Sequence, residues 1–125
     1  MRLVGYARTR LIEQLGEADL EEQERSLGEF CIANAHELTH VVADDGENQN
    51  ALDEALDADA DGIIVTDPLV IAQDVATAHD IAAQLIKRQK HLFIVYNEKH
   101  IDPKDGESQR DLVESCISLI NRKVS

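Results

Sequence analysis

The sequence predicts an α/β fold: three layers, with a mainly parallel sheet of about four strands between flanking helices, in a single domain over residues 1–125. Short β-type runs alternate with amphipathic helical runs along the chain, the pattern of a parallel sheet built from crossover units. Two runs, Gly62-Ile63-Ile64-Val65-Thr66 and His91-Leu92-Phe93-Ile94-Val95-Tyr96, are nearly continuously apolar, as strands covered on both faces are. No linker, repeat or low-complexity stretch divides the 125 residues, a length that suits one domain with its own core.

The elements follow in order. Arg2 to Arg8 is a β-type run that passes into a polar stretch. Asp19 opens a helix, with Glu22 three residues later completing a capping box. Leu20, Leu27, Phe30 and Cys31 give that helix one apolar face, and Asn34-Ala35-His36 ends it. Glu37 to Ala43 reads as a second strand carrying Leu38, Val41 and Val42, and Asp44-Asp45-Gly46 as a turn. A short helix then presents Leu52, Ala55 and Leu56. After the Gly62–Thr66 strand, Pro68 breaks the chain. A long helix from Ala72 to Lys90 turns Val75, Ala78, Ala82, Leu85 and Ile86 inward, and the His91–Tyr96 strand follows. Asp102-Pro103-Lys104-Asp105-Gly106 is a loop, and Ser108 caps a last helix running to Arg122. The total is about four strands and four helices.

Composition excludes several classes. Only 3% of residues are aromatic while 43% are hydrophobic, so the core must be aliphatic. Twelve basic residues stand against twenty-five acidic ones, giving a net charge of -13. Duplex DNA binding draws much of its affinity from Lys and Arg displacing counterions. This chain instead projects a field that repels phosphate over a screening length of about 8–10 Å, so a broad DNA-binding face is not expected. The acidic runs Glu13 to Glu24 and Leu52 to Asp61 read as solvated helix faces, with a DNA-mimicking surface as the alternative. No apolar run reaches the about 18 residues of a membrane span, and no basic-then-apolar leader opens the chain. The expectation is a cytoplasmic protein.

No cofactor or metal site is expected. Cys31 and Cys116 are far apart, fall in helical segments and show no ligand spacing, so they read as free buried thiols. His36, His40, His79, His91 and His100 lack metal-ligand spacing and read as surface or capping residues. No glycine-rich phosphate loop or nucleophile elbow is present. Asp44-Asp45, Thr66-Asp67 and Asn97-Glu98-Lys99 imitate a phosphorelay receiver pocket only loosely, because the acidic pair follows the second strand and not the first.

A more specific reading comes from the opening strand. Leu3-Val4-Gly5-Tyr6-Ala7-Arg8, Gln14 and the helical start Leu20-Glu21-Glu22-Gln23 resemble the beginning of serine recombinase catalytic domains, the resolvases and invertases. Asp44-Asp45-Gly46-Glu47-Asn48 is similar to that family's acidic turn, with Asn48 and Gln49 where a serine and a glycine usually stand. Ala60 to Thr66 is similar to the strand leading to the second catalytic motif, and Asp74-Val75-Ala76 to the residues after it. The resemblance covers almost the whole chain and implies a resolvase-type fold.

It also implies which reactive positions have changed. The family's nucleophilic serine lies two residues after the arginine, where this chain has Arg10. A guanidinium stays protonated and cannot attack phosphorus. The second motif reads aspartate, arginine, two residues, arginine; in the register set by Asp74-Val75 these positions hold Leu69, Val70 and Gln73. Such arginines neutralise charge growing on a phosphoryl group, and losing one donor costs about 2.7–4 kcal/mol of transition-state stabilisation. No arginine occurs between Arg25 and Arg88, so no shift of register restores one. The expectation is a domain without recombinase chemistry and without a C-terminal DNA-binding module.

Two expectations concern what remains. Arg8 and Arg10, near the carboxyl end of the first strand, are either a small-anion or nucleotide site or ion-pair partners of Asp44 and Asp45, and the abundance of carboxylates favours pairing. The last helix carries Leu112, Cys116 and Leu119 beside Val113, Ile117 and Ile120, a wide apolar sector. It is either a deeply buried helix or a subunit contact. Resolvase-type domains dimerise through the helix at this place, so the resemblance implies a homodimer interface at Leu112, Val113, Cys116, Ile117 and Ile120. A role through protein contacts follows, either regulatory or in mixed dimers with an active recombinase.

Overall fold

Leu3 and Val4 sit side by side in β1 (Arg2–Thr9) yet belong to different cores, because successive side chains of a strand leave opposite faces. The computed structural model describes residues 1–9, 16–45, 50–72 and 74–124, with the side chains of 16–19 and 120–124 outside the description. Arg10, Gly46–Gln49 and Gln73 lie outside the described residues. β1 is flanked by β2 (Glu37–Asp45) and β3 (Gly62–Val65), and the sheet continues through β4 (His91–Ile94) to β5 (Lys99–Ile101) in the order β2-β1-β3-β4-β5. The pairs β1–β2, β1–β3 and β3–β4 are parallel, and β4–β5 is antiparallel. The fold is α/β with a mainly parallel sheet flanked by helices, as expected.

The larger core lies under α2 (Asn50–Asp57), α3 (Pro68–Ile71), α4 (Val75–Arg88) and α5 (Gly106–Val124). It takes Val4 and Tyr6 from β1, Ile63 and Val65 from β3, and Leu92 and Ile94 from β4. The smaller core, on the opposite face, joins Leu3, Ile64 and Phe93 to Leu27 and Cys31 of α1 (Gly16–Ala33). Gly5 lets α1 come close: a Cβ there would meet Val41 Cγ2 at 2.8 Å and Leu27 Cδ1 at 2.9 Å.

Helix ends follow capping chemistry. Asp67 accepts a hydrogen bond from Leu69 N at 2.8 Å and Pro68 fills the first position of α3, so the proline starts a helix here instead of breaking the chain. Asp74 accepts from Thr77 N at 2.7 Å to open α4, and Gln89 closes it in the left-handed region at φ 54°. The ammonium of Lys90 then donates to the carbonyls of Ala58 (2.6 Å) and Ala60 (2.7 Å), tying the end of α4 to the α2–β3 corner.

Several expected details change. The sheet has a fifth strand, β5; its three residues are too short to show alternation, and it is fixed by pairing with β4. α1 starts at Gly16, so Asp19 lies inside the helix and is not its cap. α4 buries Ala78, Ile81, Ala82 and Leu85, a clean i, i+3, i+4, i+7 stripe, whereas Val75 and Ile86 are 41% and 42% exposed. α5 starts at Gly106, and Asp105 caps it by accepting from Glu107 N and Ser108 Oγ, each at 3.1 Å. Glu21, Glu22 and Glu24 of α1 and Asp53, Glu54 and Asp57 of α2 point to solvent, as acidic helix faces should.

Candidate functional site

The carboxyl ends of β1 and β3 flank the switch point of this sheet, where α/β proteins place their ligands. Tyr6 and Arg8 alternate onto the same side of β1, and both are buried, at 0% and 5% exposure. Arg8 donates from Nε to the carbonyl of Val70 in α3 (3.2 Å) and from Nη2 to the hydroxyl of Tyr6 (2.7 Å), with its guanidinium carbon 5.7 Å from the Tyr6 ring centroid. Tyr6 Oη in turn donates to Asp44 at 2.7 Å. Asp44, at the end of β2, also accepts from the amides of Ala51 (2.8 Å) and Leu52 (3.0 Å), which neutralises the start of α2. Burial, and then the hydrogen bond to Asp44, push the Tyr6 phenol far above its ordinary pKa, so it stays protonated and serves as a hinge between cation and anion.

The main chain of Arg8 is held as firmly. Its N–H donates to Gln23 Oε1 (3.2 Å), and Gln23 Nε2 donates back to its carbonyl (3.0 Å), joining α1 to the strand end. One residue on, Thr9 Oγ1 donates to Asp45 at 2.7 Å. The chemistry of this constellation is that of a satisfied buried network.

Of the residues singled out in the sequence, Arg8 is thus turned inward, and the Tyr6 hydroxyl stands between it and Asp44. Arg10 and Gln73 lie outside the described residues. Leu69 and Val70 belong to α3, where Val70 is buried and its carbonyl receives Arg8. The second motif also fits two residues earlier, because Asp67 stands two residues past the end of β3. That register keeps the aspartate and places Pro68 and Ile71, both buried and apolar, at the two arginine positions.

α5 corrects the expected interface. Leu112, Val113 and Cys116 are 0%, 8% and 0% exposed inside the larger core, so they fill this chain's own interior and do not face a partner. Ile117 is half-buried against the same core, and the side chain of Ile120 lies outside the description. Cys116 Sγ donates to the carbonyl of Pro68 at 3.8 Å. Burial, with the Asp67 carboxylate adding to it, pushes its thiol up to about 11. The outer side of α5 instead borders an open cleft of about 300 Å³, lined by Pro68, Tyr96, Lys99, Asp111, Ser115 and Leu119 among others. Tyr96 is 61% exposed at its mouth, and Lys99 pairs with Asp111 at 3.6 Å.

Sequence reasoning missed one cluster. His36, Phe93, His100 and His91 form a row of packed rings on the α1 side of the sheet. Only the sheet register, which sets Phe93 opposite His100, brings these residues together. Among the described residues no three metal-ligating groups converge, and no helix is long and apolar enough to cross a membrane.

No family model matches this sequence, and no curated protein matches it. Solved structures do. A resolvase family site-specific recombinase from Streptococcus pneumoniae superposes with a TM-score of 0.75 at 17% identity, over 98% of this chain and 89% of that one. The N-terminal catalytic domain of TP901-1 integrase superposes with a TM-score of 0.68 at 15% identity, over 100% of this chain and 99% of that one. The C-terminal catalytic domain of ISC1926 TnpA, an IS607-like serine recombinase, gives 0.67 at 20% identity, over 98% and 82%. With a mainly parallel sheet in the order β2-β1-β3-β4-β5 and an arginine near the carboxyl end of β1, the chain has the fold of a serine recombinase catalytic domain.

Proposed function

We propose that this chain is a serine-recombinase-type domain without strand-exchange chemistry, acting through protein contacts as a homodimer or a regulatory partner. One observation carries the reading: the position two residues after Arg8 is an arginine, and no arginine stands anywhere from residue 26 to residue 87 to balance a phosphoryl transition state. The net charge of -13 supports it, since a DNA backbone would be repelled before it docked. The contact surface in this reading is the outer side of α5 with Tyr96 and Leu119 at its cleft, because the inner stripe of that helix is spent on the core.

A small-anion role for Arg8 and Arg10 is the weaker reading, because the Arg8 guanidinium is enclosed and engaged by Val70 and Tyr6. A plasmid cleavage and strand-exchange assay, run beside light scattering, tests the proposal. No cleavage together with a concentration-dependent dimer is expected. Site-specific cleavage that disappears in Arg8→Ala would overturn it. Mixed dimers with an active recombinase use the same surface, and co-purification with such a subunit separates that role from self-association.

A further inference from the structure

On the α1 side of the sheet, Phe93 is only 7% exposed, clustered with Leu27 and Cys31 of α1 and with Phe30 at a centroid distance of 6.4 Å. Imidazoles complete its cover. His100 of β5 lies parallel to Phe93, with centroids 4.3 Å apart and 5° between planes, and His36, just after α1, packs on it at 4.6 Å. His91 follows His100 at 5.0 Å, and its Nδ1 lies 2.8 Å from Nε2 of His100.

That geometry does not accept charge on both His91 and His100 at once. Two facing ring nitrogens 2.8 Å apart share one proton, and a second proton would set two N–H groups head to head. The N-terminal ammonium of Met1 lies 3.1 Å from His36 Nδ1, a contact that needs a bare nitrogen there. Other ionisable groups at the cluster are the Asp102 carboxylate, which favours charge on His100 and opposes the rest in part, and the buried thiol of Cys31.

β5 is a short edge strand. It has three residues, pairs among the described residues only with β4, and inserts one buried side chain, Ile101, into the larger core. It is also tied to α5, through Lys99–Asp111 at 3.6 Å and through Gln109 Nε2 donating to the Asp102 carbonyl at 2.6 Å.

We propose that the His36–Phe93–His100–His91 row is an acid-sensitive latch: protonation in mild acid frees β5, and with it the first turns of α5, while β1 to β4 stay paired. Partial burial first, then neighbouring positive charge, holds both His36 and His100 below the ordinary histidine pKa, although His100 keeps an exposed side. A base with a lowered pKa favours the folded state above its unfolded value of about 6.5, and that contribution is lost as pH falls below it. The latch therefore closes at neutral pH and opens in acid. It does not depend on the proposed recombinase-related role.

The test is amide hydrogen exchange by NMR on the whole chain at about pH 7 and about pH 5.5, corrected for intrinsic rates. Protection of the β5 amides that bond to β4 should fall at least about tenfold while β1 and β3 hold theirs. His100→Phe keeps a ring on Phe93 but takes no proton, and should remove the acid response. Titration of the wild-type imidazoles by NMR gives an arm that needs no variant: His36 and His100 should titrate below free histidine. Unchanged β5 protection, equal loss across all strands, a retained response in His100→Phe, or ordinary titration of both rings would each overturn the latch.

Discussion

Tyr6 donates its hydroxyl proton to Asp44 at 2.7 Å while accepting from Arg8 at the same distance, so a neutral phenol joins a buried cation to a buried anion. Asp44 is already engaged with the first amides of α2, and Arg8 with the carbonyl of α3. That oxygen therefore joins β1 to β2 directly, and α2 and α3 through Asp44 and Arg8.

Removing that oxygen should be felt. Tyr6→Phe leaves the ring and its packing but takes one hydrogen bond from each of two buried charged groups, a loss of about 1–3 kcal/mol. Urea unfolding should show a lower midpoint with an unchanged slope. An unchanged midpoint would mean that the network adds nothing to stability.

On the proposed reading, a serine at residue 10 should not by itself confer strand-exchange chemistry. Arg10→Ser supplies a hydroxyl, yet no arginine between Arg25 and Arg88 can neutralise the attacked phosphate. Gel assays on supercoiled plasmid should show no covalent protein–DNA product above the wild-type background. A clear product would show that the phosphate is neutralised by groups other than those motif arginines.

Self-association is best probed outside the core. Ser118 is exposed beside the cleft, so Ser118→Arg should dissociate the proposed dimer without lowering the thermal midpoint. Ile117→Asp is a poor probe, because a carboxylate would enter a half-buried site and unfold the chain for other reasons. Light scattering at matched concentrations distinguishes the two, and a wild-type monomer at high micromolar concentration would refute the dimer.

Asp74 gives an acid-side prediction. Hydrogen bonds from Thr77 hold its carboxyl below the ordinary aspartate value. A group with a depressed folded pKa stabilises the fold above its unfolded value of about 3.9 and loses that effect as pH falls through the folded one. Asp74→Asn keeps the cap but not the charge, so it should flatten this part of the pH–stability curve below about pH 4. A wild-type curve identical to that of the variant would contradict it.

Thiol chemistry should be silent in the folded state. Cys116 is pushed up to about 11 and Cys31 is also raised, both chiefly by burial. With an aromatic disulfide reagent at neutral pH, both should react at least about a hundredfold more slowly than in urea. Fast labelling of either in the native protein would show that its helix opens readily.

Much of the architecture is legible because it obeys local periodicity. Ile63, Ile64 and Val65 announce a strand covered on both faces, and Leu52, Ala55 and Leu56 a short amphipathic helix. What escapes depends on partners distant in sequence. β5 exists because Phe93 pairs with His100, and α3 because Asp67 caps a single turn after Pro68. The inward turn of Arg8 follows from Val70, sixty-two residues away, whose carbonyl receives it. The apolar sector of α5 is visible in sequence, but only the packed core decides that Leu112 and Cys116 face inward.

The two faces of the sheet are unequally insured. On one side several helices share a continuous interior; on the other, among the described residues, α1 alone covers Leu3 and Ile64, with Leu27 and Cys31 as its buried anchors. A protease or a pulling force should therefore find α1 first. What remains after it detaches is a layer that still holds its larger core but bares the opposite flank of its central strands.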